Sequence, residues 1–298
     1  MMVYRMVGEW TTTQAELEEA LQADLFVPCG ASQEKSVGWV EPRGVAHGPL
    51  VEVVGGQWLL KQMVEVKAVP ASVVKRKVEE RVAQIEASTG RKPGKKELRD
   101  LRDDTRLALL PMAFTKQSSV LVWIDPKARF LVLGAGSQGK ADEVMTGLIK
   151  AIDGLAVQLV NTQTSPAVAM SAWLSAQEAP AGFSVDRECE LKAADESKAA
   201  VRYTRHALDI NEVSGHIAMG KLPTRLAMTW NDRLSFVLTD ALQLKKLAFL
   251  DVVLEGAATS PTGGKDDGFD TDVVIATGEL GNMLPELLEA LGGEMALP

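Results

Sequence analysis

A glycine-rich segment is the part of the sequence that most resembles a cofactor-binding motif. Gly134-Ala-Gly-Ser-Gln-Gly-Lys140 follows an apolar run and opens a predicted helix, so it matches the GxGxxG turn of dinucleotide sites and nearly spells a P-loop. A P-loop needs Ser or Thr after the lysine to bind Mg²⁺, and Ala141 stands there. A dinucleotide site needs an acidic residue after the next strand, which closes at Asn161. We favour an ordinary strand-to-helix connection, with a nucleotide-binding enzyme using residues 134–140 as the alternative.

Other residue types that perform catalysis or bind metals are sparse. His206 and His216 are ten positions apart, which does not match the three-to-five spacing of a helical metal pair, and His47 is remote from both. Cys29 and Cys189 form no CxxC motif, and no GxSxG elbow is present. We therefore expect no catalytic residue, no metal and no cofactor.

Basic residues, in contrast, are clustered on a predicted helical hairpin. Lys95, Arg99 and Arg102 recur with Arg106 at i, i+4, i+7 and i+11, a spacing that places all four on one side of a helix. A row of flexible cations can bind DNA phosphates, which gives affinity that depends on salt and carries no sequence information. The eleven candidate DNA-binding residues of the hairpin are Lys75, Arg76, Lys77, Arg81, Arg91, Lys92, Lys95, Lys96, Arg99, Arg102 and Arg106.

Two other interpretations of the hairpin stay open. Seven acidic residues lie in the same stretch, so the pattern also fits a solvated amphipathic hairpin or a module that binds an acidic protein partner.

The apolar segment Leu109-Leu-Pro-Met-Ala-Phe114 follows the second helix. It is either a core anchor or an exposed contact for another subunit.

Net charge conceals how the charges are distributed. The 298 residues include 32 Lys/Arg and 40 Asp/Glu, a balance of −8 that by itself argues against a nucleic-acid binder. Between Lys61 and Arg129, however, 16 basic residues stand against 9 acidic ones, or +7, which leaves 16 against 31, or −15, for the rest. The segregation predicts a local basic surface on an otherwise acidic protein.

The expected compartment is the cytoplasm. Two distant cysteines do not form a disulfide framework, and the first ten residues lack the apolar core of a secretory signal. No window approaches the 20 or so apolar residues of a membrane span, so we expect no membrane partner.

The order of the elements predicts an α+β fold: antiparallel or mixed sheets with packed helices in two similar subdomains, plus a protruding helical hairpin. We expect a central domain at 1–70 plus 115–164, the hairpin at 71–114 and a C-terminal domain at 165–298.

Thr13 and Glu16 have capping-box spacing, and Gly55-Gly56 has the form of a hairpin turn. Strands are predicted at 2–7, 50–54, 57–69, 120–125, 129–133, 156–160, 201–205, 224–230, 234–239, 244–250 and 273–276, a polar loop at 259–268, and helices at 13–23, 72–88, 95–110, 140–152, 165–176 and 278–291.

Several short segments together resemble the recombination-associated RdgC family over nearly the whole length. They are Met2-Val-Tyr-Arg5, Phe26-Val-Pro-Cys-Gly30, Gly38-Trp-Val40, Leu109-Leu-Pro-Met-Ala-Phe114, Trp123-Ile-Asp125, Thr277-Gly-Glu-Leu280 and Leu291-Gly-Gly-Glu294. The resemblance implies a nucleoid-associated protein without enzymatic activity that forms a ring-shaped homodimer around double-stranded DNA. Such a ring would restrain the RecA recombinase by occupying DNA, with single-stranded DNA as a second candidate ligand.

The resemblance also assigns expectations to individual residues. The hairpin becomes the tip of an arm, and Phe114 lies at the gate contact between two arms, while the C-terminal subdomains form a second contact. Met112, beside the gate, stands where family members often carry a basic residue. Arg91, Arg205 and Lys221 correspond to basic positions that face the hole, with His206 as a polar neighbour.

Overall fold

A computed structural model describes residues 1–253 and 265–296 of the chain. The strands are β1 Met2–Met6, β2 Lys35–Val40, β3 Glu52–Val54, β4 Gln57–Ala68, β5 Phe114–Asp125, β6 Phe130–Leu133, β7 Val157–Leu159, β8 Phe183–Ala193, β9 Ala200–Thr204, β10 Lys221–Trp230, β11 Leu234–Thr239 and β12 Leu244–Phe249. The helices are α1 Gln14–Gln22, α2 Ala71–Thr89, α3 Lys95–Leu109, α4 Gln138–Ala151, α5 Pro166–Ala176, α6 Ile210–Ala218 and α7 Lys265–Ala290, with a 3₁₀ turn at Leu110–Met112.

The strands form two sheets, so the predicted α+β class is confirmed. One sheet has the order β2-β4-β5-β6-β1-β7, with β3 paired to β4, and the other has the order β12-β11-β10-β8-β9. Every named strand pair whose register is described is antiparallel. The chain packs as two compact units, the first formed by Met1–Thr12, Glu52–Leu59 and Val122–Pro298, the second by Thr13–Val51 and Leu60–Leu121. The predicted division into three domains with two similar subdomains stays a prediction.

The first unit has its main core on one face of the five-stranded sheet. Leu226, Met228 and Leu238 of β10 and β11 are fully buried in one cluster with Met283 and Leu287 of α7. Burying a leucine or methionine side chain stabilises the folded state by about 1.5–3 kcal/mol relative to leaving it in water. This cluster is therefore a major source of stability for the unit.

The second unit contains the predicted capped helix and the basic hairpin. Thr13 and Glu16 form the expected capping box at the start of α1, whose Leu17 and Leu21 are buried. A loop crosses β2 so closely that a Cβ on Gly38 would lie 2.4 Å from the Cα of Phe26, which explains why glycine is required there.

Most of the predicted elements are found within a few residues of their expected bounds. The Gly55-Gly56 turn joins β3 to β4 with positive φ at both residues, as the hairpin signal predicts. Both helices of the basic hairpin form, and β11 has the bounds that were predicted. β5 begins at Phe114, six residues before the predicted start. The prediction missed this first half because the residues that follow Phe114, from Thr115 to Ser119, are polar and give no apolar alternation.

The prediction of a strand at 273–276 is wrong, because these residues belong to α7. β-Branched residues favour a strand, but Val273 packs in the same core as Leu280 and Leu284, which follow it at helical spacing. The predicted polar loop 259–268 falls partly outside the described residues: 259–264 are not described, and 265–268 begin α7.

Among the elements whose bounds are given above, the sequence predictions miss β2, β8 and α6. In β8, Phe183, Cys189 and Leu191 alternate with charged residues on the opposite face, which is a valid strand signal. α6 is short, and Asp209 caps it by accepting from the backbone N–H groups of Asn211 and Glu212.

Candidate nucleic-acid interface

The turn between α2 and α3 explains why the basic segment forms a helical hairpin. Gly90 ends α2 in the left-handed region with φ 70°, and its N–H donates to the Glu86 carbonyl at 2.9 Å. Gly94 then caps α3, its carbonyl accepting from the Leu98 N–H at 2.9 Å. These two glycines reverse the chain within five residues, so the cations of α2, the turn and α3 belong to one projecting element.

The seam between the two helices is narrow. Val78 on α2 and Thr105 on α3 are buried, and the other predicted stripe residues, Val74, Val82 and Ile85, are half-buried. Thr105 donates its hydroxyl to the Leu101 carbonyl at 2.6 Å, and its oxygen lies 3.4 Å from Arg81 Nη1. Because so little of the hairpin is internal, nearly all of its charged side chains face solvent.

α3 carries the cations that are available to a ligand. Lys95, Arg99, Arg102 and Arg106 are all exposed, as the spacing predicts. Within the described part of the chain, Lys95, Lys96, Arg99 and Arg102 have no ion-pair partner closer than 4 Å, and we call these four residues the free cations. Guanidinium and ammonium groups without a carboxylate partner can donate all their hydrogen bonds to an incoming anion.

The cations of α2 and of the turn are mostly engaged by acidic neighbours. The pairs are Lys75–Glu79 at 3.9 Å, Arg76–Glu80 at 4.0 Å, Lys77–Glu80 at 2.9 Å, Arg91–Glu97 at 2.8 Å and Lys92–Glu86 at 3.8 Å. The hydrogen bond between Arg91 and Glu97 raises the pKa of the guanidinium and lowers the pKa of the carboxyl. The eleven predicted cations are therefore not equivalent.

Arg106 is engaged from outside the hairpin. Its Nε lies 2.5 Å from Oε1 of Glu34, which stands just before β2. Glu34 carries no signal of this contact in the sequence, because 72 positions separate it from Arg106 and no local pattern links them.

The apolar segment after α3 divides into an anchor and an exposed part. Leu110 is fully buried, so the core-anchor interpretation holds for this residue, whereas Met112 is 75% and Phe114 is 87% exposed. Lys116 follows two positions along β5, and it is exposed and has no ion-pair partner within the described ranges. Alternation along the strand, which places Phe114 and Lys116 on one face, is the signal that could have identified Lys116.

The remaining candidates, Arg205, His206 and Lys221, belong to the first unit. Arg205 follows β9 with φ 54° and is exposed. His206 Nδ1 lies 2.8 Å from the Ala207 carbonyl, and Lys221 Nζ lies 3.3 Å from Nδ1 of His216. Each is near the protein surface at one end of β9 or β10, and none has a carboxylate partner among the ion pairs of the described residues.

The glycine-rich segment forms a plain connection between β6 and α4. Ser137 caps α4 without a side-chain hydrogen bond, and β6 pairs antiparallel with both β1 and β5. A dinucleotide fingerprint works where parallel strands diverge, an arrangement that β6 does not have with either neighbour.

Among the described residues, no group of three or more His, Cys, Asp or Glu side chains is placed to hold a metal ion. None of the helices within these ranges combines the length and apolar character needed to cross a bilayer.

Comparison with known proteins gives a consistent result over the full length. The family model described as "Putative exonuclease, RdgC" matches residues 1–294. A protein of Dechloromonas aromatica named "Recombination-associated protein RdgC" is 45% identical over 299 residues, covering 99% of this chain and 97% of the relative. Proteins with the same name from Herminiimonas arsenicoxydans and Bordetella pertussis are 43% and 41% identical, each matching 99% of this chain and 98% and 97% of their own lengths.

Proposed function

Because the chain belongs to the RdgC family, we propose that it binds double-stranded DNA without regard to sequence and does so through the basic hairpin. The observation that carries the proposal is the set of free cations Lys95, Lys96, Arg99 and Arg102 on the exposed side of α3. Such cations neutralise phosphates and release condensed counterions, a term that does not depend on base sequence. Single-stranded DNA is a second candidate ligand, because it too carries a row of phosphates.

We propose further that two copies form a ring-shaped homodimer around the duplex. Met112 and Phe114 support this arrangement, since large apolar side chains that are almost fully exposed beside a charged surface are typical of a contact site. We propose a contact between hairpin arms at Phe114 and a second one between the C-terminal parts, as the family resemblance implies. Arg205, His206 and Lys221 are further proposed DNA contacts on the same ground.

The biological role follows from occupancy of DNA. The relatives named above are called recombination-associated proteins, and a ring that occupies duplex DNA would deny it to the recombinase RecA. We therefore propose functional antagonism of RecA by a protein associated with the nucleoid in the cytoplasm.

We propose that the protein has no enzymatic activity, although the matching family model is described as an exonuclease. Nucleases commonly hold two metal ions through acidic ligands, so a test for nuclease activity must supply such ions. The discriminating assay therefore incubates the protein with end-labelled linear duplex DNA in Mg²⁺ and in Mn²⁺. We expect the DNA to keep its full length, and progressive shortening from the ends would overturn the proposal of a non-enzymatic protein.

Encirclement is tested by comparing DNA topologies. The protein is bound to a nicked circular plasmid and to the same plasmid made linear, and each complex is then challenged with high salt. A closed ring should stay on the circle after phosphate contacts are screened but slide off the linear ends. Equal release from both forms would contradict the ring.

A further inference from the structure

The four-cation row of α3 is not uniform, because one member already holds a carboxylate. Lys95, Arg99 and Arg102 have no ion-pair partner within the described chain, whereas Arg106 Nε lies 2.5 Å from Glu34 Oε1. The two side chains are 55% and 43% exposed, so the pair sits at the surface. A carboxylate and a phosphate accept the same hydrogen bonds from a guanidinium, so Glu34 occupies the position that a DNA phosphate would need.

The position of Glu34 is set by the sheet and not by the hairpin. Its carbonyl accepts from the backbone N–H of Lys67 on β4 at 2.8 Å. The loop before it is fixed by the Lys67 ammonium, which donates to the carbonyls of Gly30 at 2.6 Å and Ala31 at 3.0 Å. The backbone at Glu34 is therefore fixed through Lys67 of β4, by hydrogen bonds that do not involve α3.

We propose that Glu34 is a built-in competitor for phosphate at Arg106, and that it sets the strength of DNA binding by the hairpin. The inference rests on the proposed DNA-binding function. Exposed ion pairs are weak and exchange readily, so a phosphate can displace Glu34, but each displacement costs the existing pair. The competition weakens binding and reduces the number of phosphates that contribute to salt dependence.

The test is a double-mutant cycle on duplex binding, measured by fluorescence anisotropy across a salt series. We expect Glu34→Gln to tighten binding at 0.1 M salt by about threefold, the scale of one exposed ion pair, and to steepen the log–log salt slope by up to about 0.9, the full value if Glu34 keeps phosphate from Arg106 in the wild type. In an Arg106→Gln background the same change should have little effect, because the site of competition is gone.

Asp103→Asn is the matched control. This substitution also removes one negative charge, here from α3 itself, but Asp103 forms no ion pair within the described part of the chain. If Glu34→Gln gains no more affinity than Asp103→Asn, or gains equally with and without Arg106, general electrostatics explains the effect and the inference is wrong. Glu34→Ser repeats the comparison, and circular dichroism confirms that each variant is folded.

The same titration separates this inference from the proposed function. If the wild type does not bind DNA, or Lys95→Glu/Arg99→Glu/Arg102→Glu binds as the wild type does, the proposed function fails. If those two controls behave as expected and Glu34→Gln still does not tighten binding, only the role of Glu34 fails.

Discussion

Arg5 and Glu294, 289 positions apart in the sequence, form a two-point ion pair in the first unit. Arg5 Nε donates to Glu294 Oε2 at 3.0 Å, and Nη2 donates to Oε1. The same guanidinium lies over the Phe130 ring, 3.9 Å from its centroid, and donates to the Ala128 carbonyl. Two of the segments that carry the family resemblance, at opposite ends of the sequence, are thus in direct contact.

We expect Arg5→Ala to lower the free energy of unfolding by about 1–3 kcal/mol, because it removes several charge-assisted hydrogen bonds and leaves Glu294 partly buried. Urea denaturation measures the change. The matched control is Arg202→Ala, which removes a side chain that is 73% exposed and leaves Glu190 with its hydrogen bond from the Thr224 hydroxyl at 2.8 Å. The control should cost less than about 1 kcal/mol, and equal losses would show that Arg5 is no stronger a tether than a surface pair.

Glu65 is a carboxyl through which we expect acid to lower the stability of the folded chain. The side chain is buried, and hydrogen bonds from Gln117 at 2.7 Å and from the Cys29 N–H at 2.8 Å lower the pKa of its carboxyl. A folded-state pKa below the unfolded value of about 4.3 stabilises the protein above that value, and the contribution is lost as the pH falls through the folded pKa.

We therefore expect Glu65→Gln to flatten the loss of stability below about pH 4.3, where the unfolded chain takes up a proton at Glu65 that the folded chain does not yet bind. Gln117→Ala removes the larger cause of the shift, so the pKa of Glu65 should rise and the acid-dependent loss should shrink. Urea midpoints at a series of pH values measure both effects. If the urea midpoint falls with decreasing pH in both variants as it does in the wild type, this role for Glu65 is ruled out.

Phe114 should act in contact between copies and not in folding. Because the side chain is 87% exposed, Phe114→Glu should leave the thermal midpoint within about 2 °C of the wild type, a typical surface effect. It should weaken the dimer in sedimentation velocity and speed release from circular DNA. The contrasting variant is Leu110→Ala, in the same segment but fully buried, which should cost about 2–5 kcal/mol. A Phe114→Glu dimer as stable as the wild type would contradict the gate.

Local signals account for the parts of the fold that were predicted. The capping box at Thr13, the Gly55-Gly56 turn and the glycines at both ends of the hairpin turn each act within a few residues, so their geometry follows from the sequence. The row on α3 is local in the same sense, because helical periodicity alone places Lys95, Arg99 and Arg102 on one side.

Long-range packing decides what the sequence analysis missed. Val273 belongs to α7 because its side chain completes the core at helical spacing with Leu280 and Met283. The free energy gained by this burial outweighs the strand preference of a β-branched residue. Similarly, the partner of Arg106 is set by the loop before β2, which Lys67 holds in place. No local pattern in the sequence links Glu34 to Arg106. The helical spacing of Val273, Leu280 and Leu284 is a sequence signal, but the strand preference of the β-branched residues was given more weight in the prediction.

The most direct test of the hairpin as a DNA-binding surface is the salt dependence of duplex binding by three proteins. The wild type is compared with Lys95→Glu/Arg99→Glu/Arg102→Glu on α3 and with Lys75→Glu/Arg76→Glu/Lys77→Glu on α2. Both triple variants make the same change in net charge, but the α2 cations are already paired with Glu79 and Glu80.

We expect the wild-type log affinity to fall linearly with log salt, and the slope of the α3 variant to be shallower by up to about 2.7, or 0.9 for each lost phosphate contact. The α3 variant should lose affinity equally for unrelated duplex sequences, and the α2 variant should lose less. A wild-type affinity that does not depend on salt, or an α3 variant that binds as tightly as the wild type, would contradict the assignment.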